Sequence, residues 1–220
     1  MYLTGMLYNL PNVVLAAIVL VAVKGLVDIT ELCHVWRVSR FEFGVCMVAF
    51  AGVLVLGMLK GVIVAVLVSL LLLIRRAAQP HVAFLGRIPG TRSYSDIERN
   101  RDNTAAAGAL LCRVEAALLY FNVEHVRDAI WQRIRSTPET LTLAVFDPST
   151  SPTVDLAGAR MLAKLHAELQ AAGIRLRLVA AHAAVRDILR AEGLEESVGD
   201  FGRRSSVADV VDEFQGRVNP

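Results

Sequence analysis

The chain has 220 residues, 55% of them hydrophobic, with only 20% charged and a formal net charge of +2. Three isolated cysteines and five dispersed histidines give neither a disulfide framework nor metal-ligand spacing, and no basic patch is interleaved with aromatics. A secreted disulfide scaffold, a metalloprotein and a nucleic-acid partner are therefore excluded, and no cofactor is implied.

The composition is split. Residues 1–77 hold 6 of the Lys and Arg and 3 of the Asp and Glu, leaving 17 and 18 for the rest. Residues 1–10 are mildly apolar, and Pro11-Asn12 reads as a loop followed by a helix start. The next run, VVLAAIVLVAVKGLV over 13–27, predicts a first apolar helix with Lys24 near its end, placed to snorkel toward headgroups. No Lys or Arg precedes Lys24 and no small-residue cleavage site follows, which argues against a signal peptide. Residues 28–42 are a polar connection in which Trp36, Arg37 and Arg40 suit a short amphipathic helix in the membrane interface.

The most apolar stretch is FGVCMVAFAGVLVLGMLKGVIVAVLVSLLLLIRR, residues 43–76. A soluble core helix keeps a polar edge, and this run has none. It exceeds the roughly 20 residues of one crossing, and GMLKG at 57–61 interrupts it. A hairpin of two short helices follows, 43–59 and 61–74, the second reaching about 21 Å against a hydrocarbon core of about 30 Å. Such helices suit packing within a larger bundle. Lys24, Arg37, Arg40, Arg75 and Arg76 flank one side and Lys60 the other. The positive-inside rule assigns the five to the cytoplasm, and the C-terminal half with them.

Residues 78–106 read as a linker, its HVAFLGRI segment a possible edge strand and the remainder polar and mobile. From 107 to 217 the pattern alternates strands and helices. Strands are expected at 109–114, 118–121, 141–146 and 174–180. Helices carry Val123, Val126, Ile130 and Ile134; Leu162, Leu165 and Leu169; and Val185, Ile188 and Leu189 on their inner faces. Ser206 and Asp209 form a capping box before a last helix with Val207, Val210, Val211 and Phe214. The fold class is an α-helical membrane segment of about three short transmembrane helices followed by a small α/β sandwich.

The run LPNVVLAAIVLVAVKGLVD, the Trp36-Arg37 loop and VLVLGMLKGVIVAVLVSLLLLIRRAAQPHVAFLGRIPGT together resemble the last membrane helices of the sulfate permease family of anion transporters. The segments LLYFNVEHVRDAI, FDPSTSPTVDLAGARMLAKLHAEL and GIRLRLVAAHAAVRDILRAEGL resemble the STAS domain that those permeases carry in the cytoplasm. The resemblance implies helices of the gate domain plus the regulatory tail, within a multi-pass protein of the cell membrane. The half-helices that hold the anion in such permeases have no counterpart here, so no anion-binding residue is carried over, and transport by the chain alone is not expected. It also implies the partners: the lipid bilayer, core helices or another permease copy, a homodimer, and a protein bound by the STAS domain.

The loop DPSTSPTVD, residues 147–155, joins a buried strand to a helix start, where α/β sheets commonly bind ligands. In STAS domains the matching loop and helix start face a partner protein. Asp147, Thr153, Asp155, Leu156 and Gly158 are the candidate interaction residues, with Asp155 also a helix cap. In the related anti-sigma antagonists a phosphorylated serine follows the aspartate. Leu156 stands there, which argues against a phosphoryl switch, while Ser149, Thr150, Ser151 and Thr153 are nearby hydroxyls without a family role. Two readings remain open: part of an anion carrier, or a membrane-tethered STAS binding module. Neither is an enzyme.

Overall fold

The computed structural model describes residues 12–26, 28–199, 201–202 and 205–218, so the mildly apolar residues 1–10 and the loop read up to Pro11 lie outside them. The chain divides into two compact units, residues 1–72 and 73–220.

In the first unit, helix α1 (Asn12–Leu26) carries Lys24 in its last turn. Helix α2 (Ile29–Val38) starts where the Asp28 carboxylate accepts the Glu31 N–H at 3.1 Å. Ser39 ends α2 and begins α3 (Arg40–Leu56), its Oγ accepting from the Glu42 N–H. The serine side chain substitutes for an intrahelical partner, so the chain turns there without stranding a donor. Trp36 meets Phe43 edge-on with ring centroids 4.8 Å apart, and the Arg40 guanidinium lies over the Trp36 ring.

The hairpin turn is tighter than the sequence suggests. Only Gly57 breaks the helix, at φ +82°, a conformation that strains any residue with a Cβ. Met58, Leu59 and Lys60 already belong to α4 (Met58–Ala78), and the Gly61 N–H bonds the Gly57 carbonyl. The helix also passes through Arg75 and Arg76 before it ends. At 21 residues it is about 31 Å long, so the expectation of a span too short for a bilayer is corrected. Gly61 seats against the backbone of Val53, which a Cβ would strike. Small residues allow such close helix contact where no water drives association. Among the described residues, α4 (Met58–Ala78) is, by length and composition, long and apolar enough to cross a membrane.

The second unit takes in the end of α4 and is built on a five-stranded sheet. Its strands are β1 (Val82–Arg87), β2 (Tyr94–Asp96), β3 (Ala109–Val114), β4 (Leu143–Asp147) and β5 (Arg175–Leu178), in the order β2-β1-β3-β4-β5. β1 is antiparallel to β2 and β3, while β3, β4 and β5 run parallel. Helices α5 (Val123–Ser136), α6 (Leu156–Ala171), α7 (Ala183–Ala191) and α8 (Leu194–Val198) follow in the chain, and α9 (Val207–Val218) closes it.

Residues alternate in the pleat, so β1, β3 and β4 each feed two cores. Phe84, Leu110, Cys112, Ala144 and Phe146 pack with Val126 and Ile130 of α5 and with Leu162, Leu165 and Leu169 of α6. Ala83, Leu85, Leu111, Leu143 and Val145 pack with Val207, Val210, Val211 and Phe214 of α9. Burial on both faces is why β4 is apolar from Leu143 to Phe146.

Two expectations are corrected. The stretch 78–106 is not merely a connection, because it supplies β1 and β2, and β1 lies inside the sheet rather than at its edge. Polar side chains organise the rest of it. Asn103 Nδ2 donates to Ser95 Oγ at 2.7 Å, the Glu98 N–H bonds Asp96, and His81 Nε2 meets Asp96 Oδ2 at 2.9 Å. Residues 118–121 form no strand. Leu118 makes one bridge to Val154, and the chain then turns into α5.

Candidate functional site

The loop after β4 begins inside the protein. Asp147 is 2% exposed, and its Oδ2 accepts from Arg113 Nε and Nη2 at 2.8 and 2.7 Å. Its Oδ1 accepts the Ser149 N–H and caps a short 3-10 turn, Pro148–Thr150. Both oxygens thus serve the fold. Ser151 and Thr150 hydroxyls donate to the Val114 carbonyl, and the His182 ring bonds the Ser149 carbonyl at 2.6 Å, tying the loop to the start of α7.

Asp155 does two things. Its Oδ1 accepts the Gly158 N–H at 2.8 Å, the helix cap, and its Oδ2 accepts the Tyr120 N–H at 2.8 Å. The second bond joins two loops far apart in sequence, and the Leu118–Val154 bridge runs beside it through Leu118 N–H to Thr153 carbonyl and Asp155 N–H to Leu118 carbonyl. Gly158 is buried where a Cβ would stand 2.8 Å from Val154 Cγ1 and 2.9 Å from the Leu118 carbonyl. Glycine is required there by close packing.

Of the five candidate residues, Asp147 and Gly158 are buried and Asp155 is half-buried; Thr153 and Leu156 face outward. Leu156 is 49% exposed, and the loop bonded to Asp155 adds Tyr120 at 73% and Phe121 at 37%. The two rings meet edge-on with centroids 5.3 Å apart. An open groove of about 540 Å³ runs between the starts of α5 and α6, with Glu124, Arg160 and Lys164 among its walls. The arrangement offers an apolar tip with charged flanks, which suits contact with another macromolecule's surface. It offers no nucleophile–base pair.

Sequence reasoning missed Tyr120, Phe121 and Asn122. Asn122 is 1% exposed, and its Nδ2 donates to the Ala117 carbonyl at 2.9 Å and to the Ala77 carbonyl at 3.2 Å, while Oδ1 accepts the Leu119 N–H. It thereby satisfies a carbonyl in the last turn of α4, one of those a helix end leaves unpaired. An asparagine directly before an apolar-periodic helix was the available signal. The His81–Asp96 contact was equally invisible, since 15 residues separate the partners and a strand pairing joins them. Burial pushes the Asp96 carboxyl up, but the His81 ring and the Glu98 N–H outweigh it and hold it below the usual range. Among the described residues no group of three His, Cys, Asp or Glu side chains is placed to hold a metal ion.

Comparison with known proteins places these features. The STAS domain model matches residues 100–213, and the sulfate permease family model matches residues 1–49. Probable sulfate transporter 3.4 of Arabidopsis thaliana is 29% identical over 219 residues, covering 96% of this chain and 34% of that protein. Low affinity sulfate transporter 3 of Stylosanthes hamata is 30% identical over 219 residues, covering 95% and 34%. The chain thus spans about a third of the length of the curated relatives it matches. Among solved structures, the murine Solute Carrier 26 family member A9 anion transporter, inward-facing, superposes with a TM-score of 0.70 over 85% of this chain and 31% of that one, at 24% identity. At that identity the likeness concerns the fold.

Proposed function

Because the chain belongs to the sulfate permease family and carries a STAS domain, we propose that it supplies gate helices and a regulatory domain to a carrier of inorganic, sulfate-like anions. The observation that carries this reading is the order of parts: apolar helices, the last of membrane length, run straight into a STAS sheet, over a stretch that matches the sulfate transporters almost end to end. A midplane anion site needs helix N-termini that converge from broken helices. Within their described residues α1, α3 and α4 each run unbroken. The anion-holding half-helices therefore come from elsewhere in the carrier, in a longer chain or in a partner. In this reading Lys24, Arg37, Arg40, Arg75 and Arg76 face the cytoplasm with the STAS domain, and Lys60 faces the opposite side. The chain has no enzymatic role in it, and its further partners are the bilayer and a second permease copy.

A second reading, a membrane-tethered STAS module that binds a protein, is favoured by the exposed Tyr120, Phe121 and Leu156 beside the Asp155 cap. Sulfate uptake into proteoliposomes separates the two. The chain alone is expected to give no saturable uptake, and co-reconstitution with the preceding helices of a permease of this family restores it. Saturable uptake by the chain alone would sink the carrier-part reading as stated. Failure of the combined sample, with both parts folded, would leave the binding module.

A further inference from the structure

Strand β5 is the last in the sheet, and among the described residues no sixth strand covers its outer side. Leu176 and Leu178 turn into the core with α6 and α7. Arg175 and Arg177 stand in register with Leu143 and Val145, whose side chains belong to the core with α9. The pleat therefore puts both arginines on the α9 face. A cavity of about 350 Å³ wraps this edge. Its walls include Arg175, Arg177 and His166 together with Ser197, Val198 and Phe214.

Among the described residues, two buried side-chain nitrogens have no hydrogen-bond partner, Arg177 Nε and His166 Nδ1, and both residues line this cavity. Buried polar atoms are almost always paired, so the Arg177 Nε–H calls for an acceptor, while the His166 Nδ1 takes either role according to its tautomer. A guanidinium is always charged and only donates, which fixes the missing group at Arg177 as an oxygen acceptor, best an anionic one. Leu143, Leu176, Val198 and Phe214 add apolar wall. Glu213 lies on the same rim with contacts of its own, which limits how much negative charge the site accepts. The volume is at the small end for ligand pockets, enough for one ring and a head group.

We propose that the cavity at the outer edge of β5, framed by Arg177, His166 and Phe214, binds a small organic oxyanion, its carboxylate or phosphate on Arg177 and its apolar body against Phe214 and Val198. The proposal does not rest on the transport reading, since the whole site lies within the second unit.

The test uses the full chain in nanodiscs, with the methyl groups of Leu176, Val198 and Val210 followed by NMR. Four probes are titrated: phenyl phosphate, benzyl alcohol, inorganic phosphate and inorganic sulfate. Phenyl phosphate is expected to shift these methyls saturably, and more tightly than the other three. Arg177→Gln is expected to weaken it about tenfold or more, one charge-assisted hydrogen bond's worth, while the remaining methyl spectrum stays in place. Should that variant disturb the spectrum, Arg175→Gln, at an exposed position, is expected to weaken binding in the same direction. Benzyl alcohol binding as tightly overturns the oxyanion head group. Inorganic phosphate or sulfate binding as tightly overturns the organic body. No saturable shift up to about 10 mM, which is weaker than about 3 kcal/mol of binding, overturns the site.

Discussion

The two units use apolar residues in opposite ways. In α3 the structure buries no residue and in α4 only Gly61, while Val55, Leu59 and Leu71 stand open to the surroundings. In the second unit the same residue types are sealed: Val145, Phe146, Leu162 and Leu178 have no exposed surface. A helix satisfies its backbone internally and can leave its side chains to lipid. A sheet of five strands must cover both faces, and four helices on one side and α9 on the other do so. The exposed apolar side chains of the first unit suit a bilayer as solvent, and those of the second answer to neighbouring side chains.

Cysteine chemistry gives the sharpest contrast. Burial, reinforced by the nearby Asp147 charge, pushes the Cys112 thiol up to about 12. That leaves on the order of a thousandfold less thiolate than an ordinary thiol at neutral pH. In detergent, maleimide is expected to modify exposed Cys33 and to reach Cys112 only after denaturation. Equal native labelling would break the comparison. In sealed cells an impermeant reagent applied outside is expected to label none of Cys33, Cys46 and Cys112. Since Cys112 is silent on either side, outside labelling of Cys33 is the result that would overturn the proposed orientation.

Truncation in the core comes next. Phe146→Ala is expected to cost the second unit about 3–5 kcal/mol in denaturant unfolding. Leu59→Ala, at a position 77% exposed, is expected to leave that transition within about 0.5 kcal/mol. A similar loss from both would mean that the two units unfold as one.

Glycines sharpen the same point at a smaller scale. Gly158→Ala forces a Cβ onto Val154 and the Leu118 carbonyl and is expected to destabilise by about 1–3 kcal/mol. Gly44→Ala meets nothing within 4 Å in α3 and is expected to be neutral or to add up to about 1 kcal/mol of helix stability. Parity of the two in thermal unfolding would remove the packing argument at Gly158.

The smallest expected effect is acid sensitivity. Hydrogen bonds from Arg127, at 2.9 and 3.1 Å, hold the Glu168 carboxyl below its ordinary range, and the Trp131 indole N–H adds a third. A folded value below the unfolded one gives stability that is complete above the unfolded value. It fades as the pH falls through the folded one. Glu168→Gln is expected to lower stability modestly at neutral pH, where the contribution of the pair is complete, and so to flatten the acid limb, the two proteins converging as the pH falls through the folded value. An unaltered acid limb would place the sensitivity elsewhere, with Asp96 the next candidate.

Hydropathy, the Gly57 break, the strand periodicity of 109–114 and 141–146 and the Asp155 cap are all local, one-dimensional signals. They were sufficient for apolar helices followed by an α/β domain. They failed where a residue's role depends on a distant partner. HVAFLGRI gives the same pattern at an edge or inside a sheet, and only pairing with β3 settled which. Asp147 reads as an exposed loop acid until Arg113, 34 residues earlier, is seen to take its charge. Asp155 reads as a helix cap and a candidate interaction residue, but its bond to the Tyr120 N–H, 35 residues away, and the exposed apolar tip that comes with it are not legible there. Arg177 and His166 sit on different elements, and nothing in their spacing shows two buried nitrogens lining one cavity. Sequence spacing determines which residues share a face of one element. Which faces meet, and which polar atoms are left over when they do, is decided only when the sheet closes.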